Sequence, residues 1–280
     1  MPADALTPAA AAPPAAVCRE LVQIYESAGG PVHALRGVST VIPARSLTAV
    51  VGPSGAGKST FLRLLACLER PTVGDVVIEG TPTAQLSGRA RRRLVARRIG
   101  YVFQSPADNL LADLSVREHV RMAWRMRERE PRGAVAELLA LTDLADVARK
   151  RPAALSVGQQ QRVAFAMAMA AGPALIIADE PTANLDPRGA SALVDLLPRL
   201  IAAGQTLVIC THDRRVIDTA DKVLVISGGT LAAESTGGGE LLAVLDDADR
   251  VHLPRELVGL FPDRRVRLTV VDGDPRMERP

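Results

Sequence analysis

The residues of this 280-residue chain best suited to chemistry begin with Gly52-Pro53-Ser54-Gly55-Ala56-Gly57-Lys58-Ser59. The run satisfies G-x-x-x-x-G-K-[ST] and lies between an apolar segment ending at Val51 and a helical pattern starting near Lys58. Glycines there let successive backbone N–H groups turn inward as an anion nest, and the start of the helix adds its positive dipole end. Gly52 to Gly57 and Thr60 are the expected cradle, Lys58 the residue that reaches the β- and γ-phosphates, and Ser59 a hydroxyl ligand for Mg²⁺. The plain alternative is a glycine-rich turn with a solvated lysine. Lysine is scarce, however, with Lys58, Lys150 and Lys222 the whole complement, so one placed in this loop is hard to read as filler.

A second group is Leu175-Ile176-Ile177-Ala178-Asp179-Glu180, an apolar strand that ends in two acids. Open α/β sheets bind ligands at the carboxyl edge, and successive strand side chains point apart, so the two acids can divide the work. Asp179 is placed to hold Mg²⁺ directly or through water, and Glu180 to orient or deprotonate an attacking water. Taken alone, two acids ending a strand make a solvated turn; the phosphate loop is what makes them a candidate site.

The elements that must position these groups are short. Leu47–Val51 reads as a strand and Lys58 to about Leu68 as a helix. Arg89 to Arg151 is mostly helical and polar, Gly172-Pro173 ends a helix, and a helix from about Arg188 to Ala203 precedes a buried strand Leu207–Thr211. The alternation indicates an α/β fold around a parallel sheet, with the helical middle, about 104–172, as an inserted subdomain. Residues 1–16, rich in Ala and Pro, are expected to be disordered, 17–235 to form the main domain, and 236–280 a C-terminal extension entered through Gly237-Gly238-Gly239, with Asp272 to Pro280 frayed.

Composition narrows the function classes. Aromatic content of 2% argues against stacking platforms for single-stranded nucleic acid, and a net charge of +3 is a weak basic excess for a nucleic-acid binder. Cys18, Cys67 and Cys210 have no metal or Cys-x-x-Cys spacing. The most apolar tract, Val163 to Ala178, is interrupted by Gly172-Pro173 and falls short of the roughly 20 residues of a membrane helix. A membrane role therefore requires a partner.

Leu155-Ser156-Val157-Gly158-Gln159 resembles the L-S-G-G-Q signature of the ABC ATPase family, and with the motifs above the resemblance spans roughly 17–230. It implies a phosphate-loop NTPase fold: a RecA-like core with a parallel sheet, an antiparallel β subdomain and the inserted helical subdomain. It implies ATP and Mg²⁺ as the bound groups, with hydrolysis in a nucleotide sandwich between two such subunits, identical or similar. Ser156, Gly158 and Gln159 would close on the γ-phosphate held by the opposite protomer, Ser156 being a helix N-cap on physical grounds as well. Tyr25 is similar to the aromatic that stacks on adenine, and Gln104 to the glutamine that touches Mg²⁺ and water and links the site to a transmembrane permease. Ala183-Asn184-Leu185-Asp186 resembles the loop along the dimer interface, and His212 the switch histidine that contacts γ-phosphate.

Two departures stand out: Val157 in place of the usual glycine, and Met167 where the family often has arginine. Asp108 to Leu114 after Gln104, and Thr211 to Asp218, are similar to ATPases of lipoprotein-releasing and macrolide-exporting systems. The expected place of work is the cytoplasmic face of the membrane. Action on nucleic acid or the ribosome is disfavoured by the single ATPase unit without long coiled coils. A non-hydrolysing scaffold is disfavoured by Glu180. The run Arg89, Arg91, Arg92, Arg93, Arg97, Arg98 reads as a solvated face, or else as a contact with the partner subunit or with anionic headgroups.

Overall fold

The computed structural model describes residues 13–125, 134–170, 172–236, 242–244, 267–271 and 274–278. From the N-terminus, β1 (Ala16–Tyr25), β2 (Val32–Ile42) and β3 (Leu47–Val51) lead through the glycine loop into α1 (Lys58–Leu65). Then come β4 (Val73–Ile78), β5 (Thr81–Pro82), α2 (Gly88–Arg98) and β6 (Ile99–Val102). The helical layer comprises α3 (Val116–Arg125), α4 (Ala134–Leu141) and α5 (Val157–Ala170). β7 (Leu175–Asp179), α6 (Pro187–Ala202), β8 (Leu207–Cys210), α7 (Arg214–Asp218), β9 (Lys222–Ser227), β10 (Thr230–Thr236) and β11 (Leu242–Ala243) follow.

β11, β10, β9, β3, β8, β7 and β6, in that order, form the central sheet; β1, β2, β4 and β5 form an antiparallel sheet ordered β2-β1-β4-β5. The five strands from β9 to β6 run parallel, and parallel strands covered on both faces need continuous apolar sequence. LTAVV, LIIAD and LVIC meet that requirement. On one face, Phe61, Leu62, Leu64 and Leu65 of α1 fill the space between Cys18, Leu21 and Leu35 of the antiparallel sheet and Val50, Ile177, Val208 and Leu224 of the central one. On the other face α3, α5 and α6 pack over Ile176, Ala178, Leu207 and Ile209. All three layers therefore rest on the strands whose carboxyl ends carry the candidate residues.

Several boundaries differ from the sequence expectation. Ala15 and Ala16 are buried, and Ala16 opens β1, because its pairing with Ile42 on one side and Ile78 on the other holds it between two strands; residues 1–12 lie outside the described ones. The stretch between Arg89 and Arg151 is not all helix, since Ile99–Val102 is a strand paired in parallel with Leu175–Ala178. Sheet pairing also continues past residue 236, with Leu242 opposite Glu234 and Ala243 opposite Ala233; Gly237-Gly238-Gly239 lies outside the described residues. Of the segment expected to fray, Asp274–Glu278 pairs antiparallel with Arg267–Val271 as β13 and β12.

Gly100 is where β6 meets α5 most tightly: a Cβ there would lie 2.9 Å from the Ala168 Cβ and 3.0 Å from the Ala168 carbonyl oxygen. Gly100→Val should overpack this junction and cost about 1–3 kcal/mol. Urea unfolding would read the loss as a lower midpoint with an unchanged slope.

Candidate active site

The glycine loop is fixed from outside before any ligand is considered. A Cβ on Gly52 (φ +147) would sit 2.0 Å from the Ile226 carbonyl oxygen of β9, and one on Gly57 (φ +101) 2.4 Å from the Ala34 carbonyl oxygen of β2. The Gly229 N–H donates to the Ala56 carbonyl at 3.1 Å, and the Arg36 N–H to the Gly229 carbonyl at 2.8 Å. β2 and the β9–β10 turn thus clamp the loop from both sheets, so only glycine fits at its two ends. Inside, the Lys58 ammonium donates to the Gly52 and Pro53 carbonyls at 2.8 and 2.9 Å, which folds the side chain back over its own loop.

A pocket of about 440 Å³ opens over this loop. It brings together Tyr25, the loop residues Ser54, Gly55 and Gly57 to Thr60, Gln104, Asp179 and Glu180. Gly52 and Pro53 line instead a neighbouring cleft of about 800 Å³, which shares Ser54, Lys58 and Glu180 with the first and adds His212. Ala56 is buried in the turn. The open side of the loop, where Gly55 (φ +75) has free space around its Cβ position, faces the pocket, which is the form an oxyanion cradle requires.

Glu180 closes β7 in a left-handed conformation (φ +45), with its N–H bonded to the Cys210 carbonyl at 2.9 Å. A side-chain residue held there stores roughly 1–3 kcal/mol of strain. Both acids line the pocket over the loop and Glu180 also lines the neighbouring cleft: its carboxylate is 19% exposed and lies 3.0 Å from the Nδ1 of His212, itself 80% exposed, an ion-pair distance without the alignment of a hydrogen bond. Burial, with Asp179 beside it, pushes the Tyr101 hydroxyl up to about 12, and burial together with Asp179 and Glu180 raises the Cys210 thiol, so both groups keep their protons.

Several positioning contacts were not legible in the sequence. The Tyr25 hydroxyl donates to Glu69 at 2.5 Å, and Arg63 approaches the same carboxylate at 3.3 Å, which fixes the ring at the pocket mouth. Asn109 accepts from the Phe103 N–H at 2.9 Å and donates to the Phe103 and Ser105 carbonyls, a clamp that encircles exposed Gln104. The i, i+6 spacing of Phe103 and Asn109 carries no local pattern that would have signalled it.

Ser156, Gly158 and Gln159 do not join this pocket. They stand at the start of α5, where the Gln159 N–H donates to the Ser156 hydroxyl at 3.2 Å and the Ser156 N–H to the Gln159 side chain at 3.0 Å, a reciprocal cap. Ser156 is exposed, and so is Val157. Gly158 abuts Gly189 of α6: a Cβ on Gly158 would lie 3.0 Å from the Gly189 Cα. α6 itself is capped by Asp186, whose carboxylate accepts from the Gly189 N–H at 2.7 Å, so the loop Ala183–Asp186 and the start of α5 are held side by side.

The donors around the pocket suit magnesium. Ser59, Gln104 and Asp179 offer one hydroxyl, one amide oxygen and one carboxylate, the oxygen set of a cation that takes its remaining ligands from water and phosphate. The described residues contain no cluster of three or more His, Cys, Asp or Glu that could hold a metal by itself.

Residues 35–183 match the ABC transporter family. A Thermotoga maritima protein described as an uncharacterized ABC transporter ATP-binding protein is 40% identical over 212 residues, 75% of this chain and 90% of that one. The macrolide export ATP-binding/permease protein MacB of Hyphomonas neptunium is 36% identical over 247 residues, 87% of this chain but 38% of its own length. Among solved structures, the ATP-binding cassette MJ0796, in a dimeric post-hydrolysis state bound to ADP and Pi, superposes with a TM-score of 0.72 at 31% identity, covering 80% of this chain and 100% of that one.

Gly57→Ala should sharply weaken nucleotide binding, because the added methyl would lie 2.4 Å from the Ala34 carbonyl oxygen and 2.9 Å from the buried Leu35 side chain, so the loop must shift off β2. Titration with a fluorescent ATP analogue alongside far-UV circular dichroism checks it; full affinity in the variant would contradict the clamp. The clamped loop, the strand-end carboxylates and the capped signature helix agree with the sequence matches that the chain belongs to the ABC transporter family as an ATP-binding subunit.

Proposed function

We propose that two copies of this chain, or one copy and a similar subunit, close on ATP and Mg²⁺, hydrolyse the nucleotide, and thereby drive a separate membrane-spanning permease. The observation that carries this reading is a division of labour. Everything needed to seat ATP and aim a water shares one pocket, whereas the exposed, capped start of α5 lies outside it and is open to another molecule's phosphate.

In this reading Tyr25 stacks on adenine, and the loop amides with Lys58 hold the β- and γ-phosphates. Lys58 exchanges its two carbonyl partners for phosphate oxygens as the nucleotide enters. Ser59, Gln104 and Asp179 would hold magnesium, which would supply charge neutralisation to the phosphates. Glu180 orients the attacking water and takes its proton as the water's oxygen bonds to γ-phosphorus and the bond to the β-phosphate oxygen breaks; ADP and phosphate leave. His212, beside Glu180, steadies the γ-phosphate. Gain in such chemistry comes from positioning and charge, since the leaving group needs no covalent help.

The membrane partner and an export direction draw on MacB, whose description joins an ATP-binding part to a permease. Among the described residues no helix is long and apolar enough to cross a membrane. Gln104, exposed in its Asn109 clamp, is the residue through which the occupancy of the pocket reaches such a partner.

Glu180→Gln should keep ATP affinity, lower turnover roughly 100- to 10,000-fold as expected for loss of a general base, and accumulate an ATP-bound dimer in light scattering. Lys58→Ala should lose affinity and remain monomeric. Wild-type turnover in both variants would refute the assignment.

A further inference from the structure

α2 is a helix of 11 residues that contains six arginines and no acid, and none of its residues is fully buried. Three of the arginines are committed to the fold or engaged: Arg91 donates to the Glu69 carbonyl, Arg98 pairs with Glu79 at 3.0 Å, and Arg97 has a partner. Arg89, Arg92 and Arg93 are exposed and form no ion pair or hydrogen bond with other described residues. Together with Ala96 they occupy positions i, i+3, i+4 and i+7, so they lie on one helical face as a cationic stripe.

The stripe flanks a built cleft. Ile78, Leu86 and Leu94 give about 340 Å³ an apolar floor, and Arg93, Arg97 and Arg98 stand at its rim beside Glu79. On its other side α2 contributes Val95 and Ala96 to a cleft shared with Tyr101 and exposed Phe103, immediately before Gln104. An apolar floor beneath a guanidinium rim suits an amphiphile whose anionic phosphate adjoins hydrocarbon. Guanidinium groups bind phosphate in a planar, two-pronged manner. Nucleic acid fits less well, since no aromatic side chain is interleaved among the arginines of α2.

From this we infer that the Arg89, Arg92, Arg93 face of α2 binds the phosphate headgroups of anionic phospholipid at the membrane surface. The inference rests on the membrane-partner reading for the side on which the bilayer lies, and adds a direct lipid contact to it. Because the stripe touches no residue of the nucleotide pocket, it can be altered without altering catalysis.

The test is co-sedimentation of the full chain with vesicles of phosphatidylcholine alone or with 30 mol% (about one lipid in three) phosphatidylglycerol, with ATP turnover measured on the same preparation. Each arginine near an anionic surface is worth roughly a fivefold change in partitioning. The triple variant Arg89→Gln, Arg92→Gln, Arg93→Gln should therefore bind the anionic vesicles roughly 100-fold less tightly at unchanged turnover, and wild-type binding should fall as salt rises. Equal binding to both vesicle types, no vesicle binding by the wild type, or full binding by the triple variant would each overturn it. The charge-reversed triple, to Glu, should bind still less. Should vesicle binding hold while no ATP is turned over, the catalytic reading fails and this one stands.

Discussion

A backbone with no room for side chains is the constraint from which the rest of the molecule follows. Ile226 and Ala34 press their carbonyl oxygens against the two ends of the glycine loop, and they belong to different sheets. For both to be in contact at once, the antiparallel sheet must sit at a fixed height above the central one. That height is set by α1, whose phenylalanine and leucines fill the gap. The same helix presents its amino end to the loop. Core packing and anion binding are therefore one arrangement seen from two sides.

The second organising feature is the convergence of parallel strands. β3 delivers the loop, β7 the two acids and β8 the segment Thr211-His212, all at their carboxyl ends. Antiparallel neighbours would have delivered these groups to opposite edges. The strained turn at Glu180 then gives the acids different reach: Asp179 lines only the pocket over the loop, whereas Glu180 lines both that pocket and the cleft beside His212. Strain kept at such a position lowers overall stability slightly and gains a defined direction for the carboxylate.

Local patterns were the legible part. The glycine loop, the apolar strands and the Ser156 cap are each written in a few consecutive residues, so periodicity and motif spacing were enough to find them. Strand β6 was missed because four residues, Ile99–Val102, follow an arginine-rich helix with no punctuation between them. The sheet beyond residue 236 was missed because its pairing depends on a partner strand rather than on composition. Tyr25 with Glu69, and Gly158 with Gly189, are contacts between distant parts of the chain, and only the folded form brings them together.

That glycine pair has a mechanical meaning. α5, 14 residues long, rises about 20 Å from its start, and at that start it rests on α6 with nothing but hydrogen atoms between the two backbones. Near its other end Ala168 meets Gly100 of β6 just as closely, so α5 is held between two close backbone approaches and its start keeps a fixed direction relative to the central sheet. Bulk at Gly158 or Gly189 would push the start of α5 off α6 and turn the Ser156 cap away from that direction, however well the rest of the layer were packed.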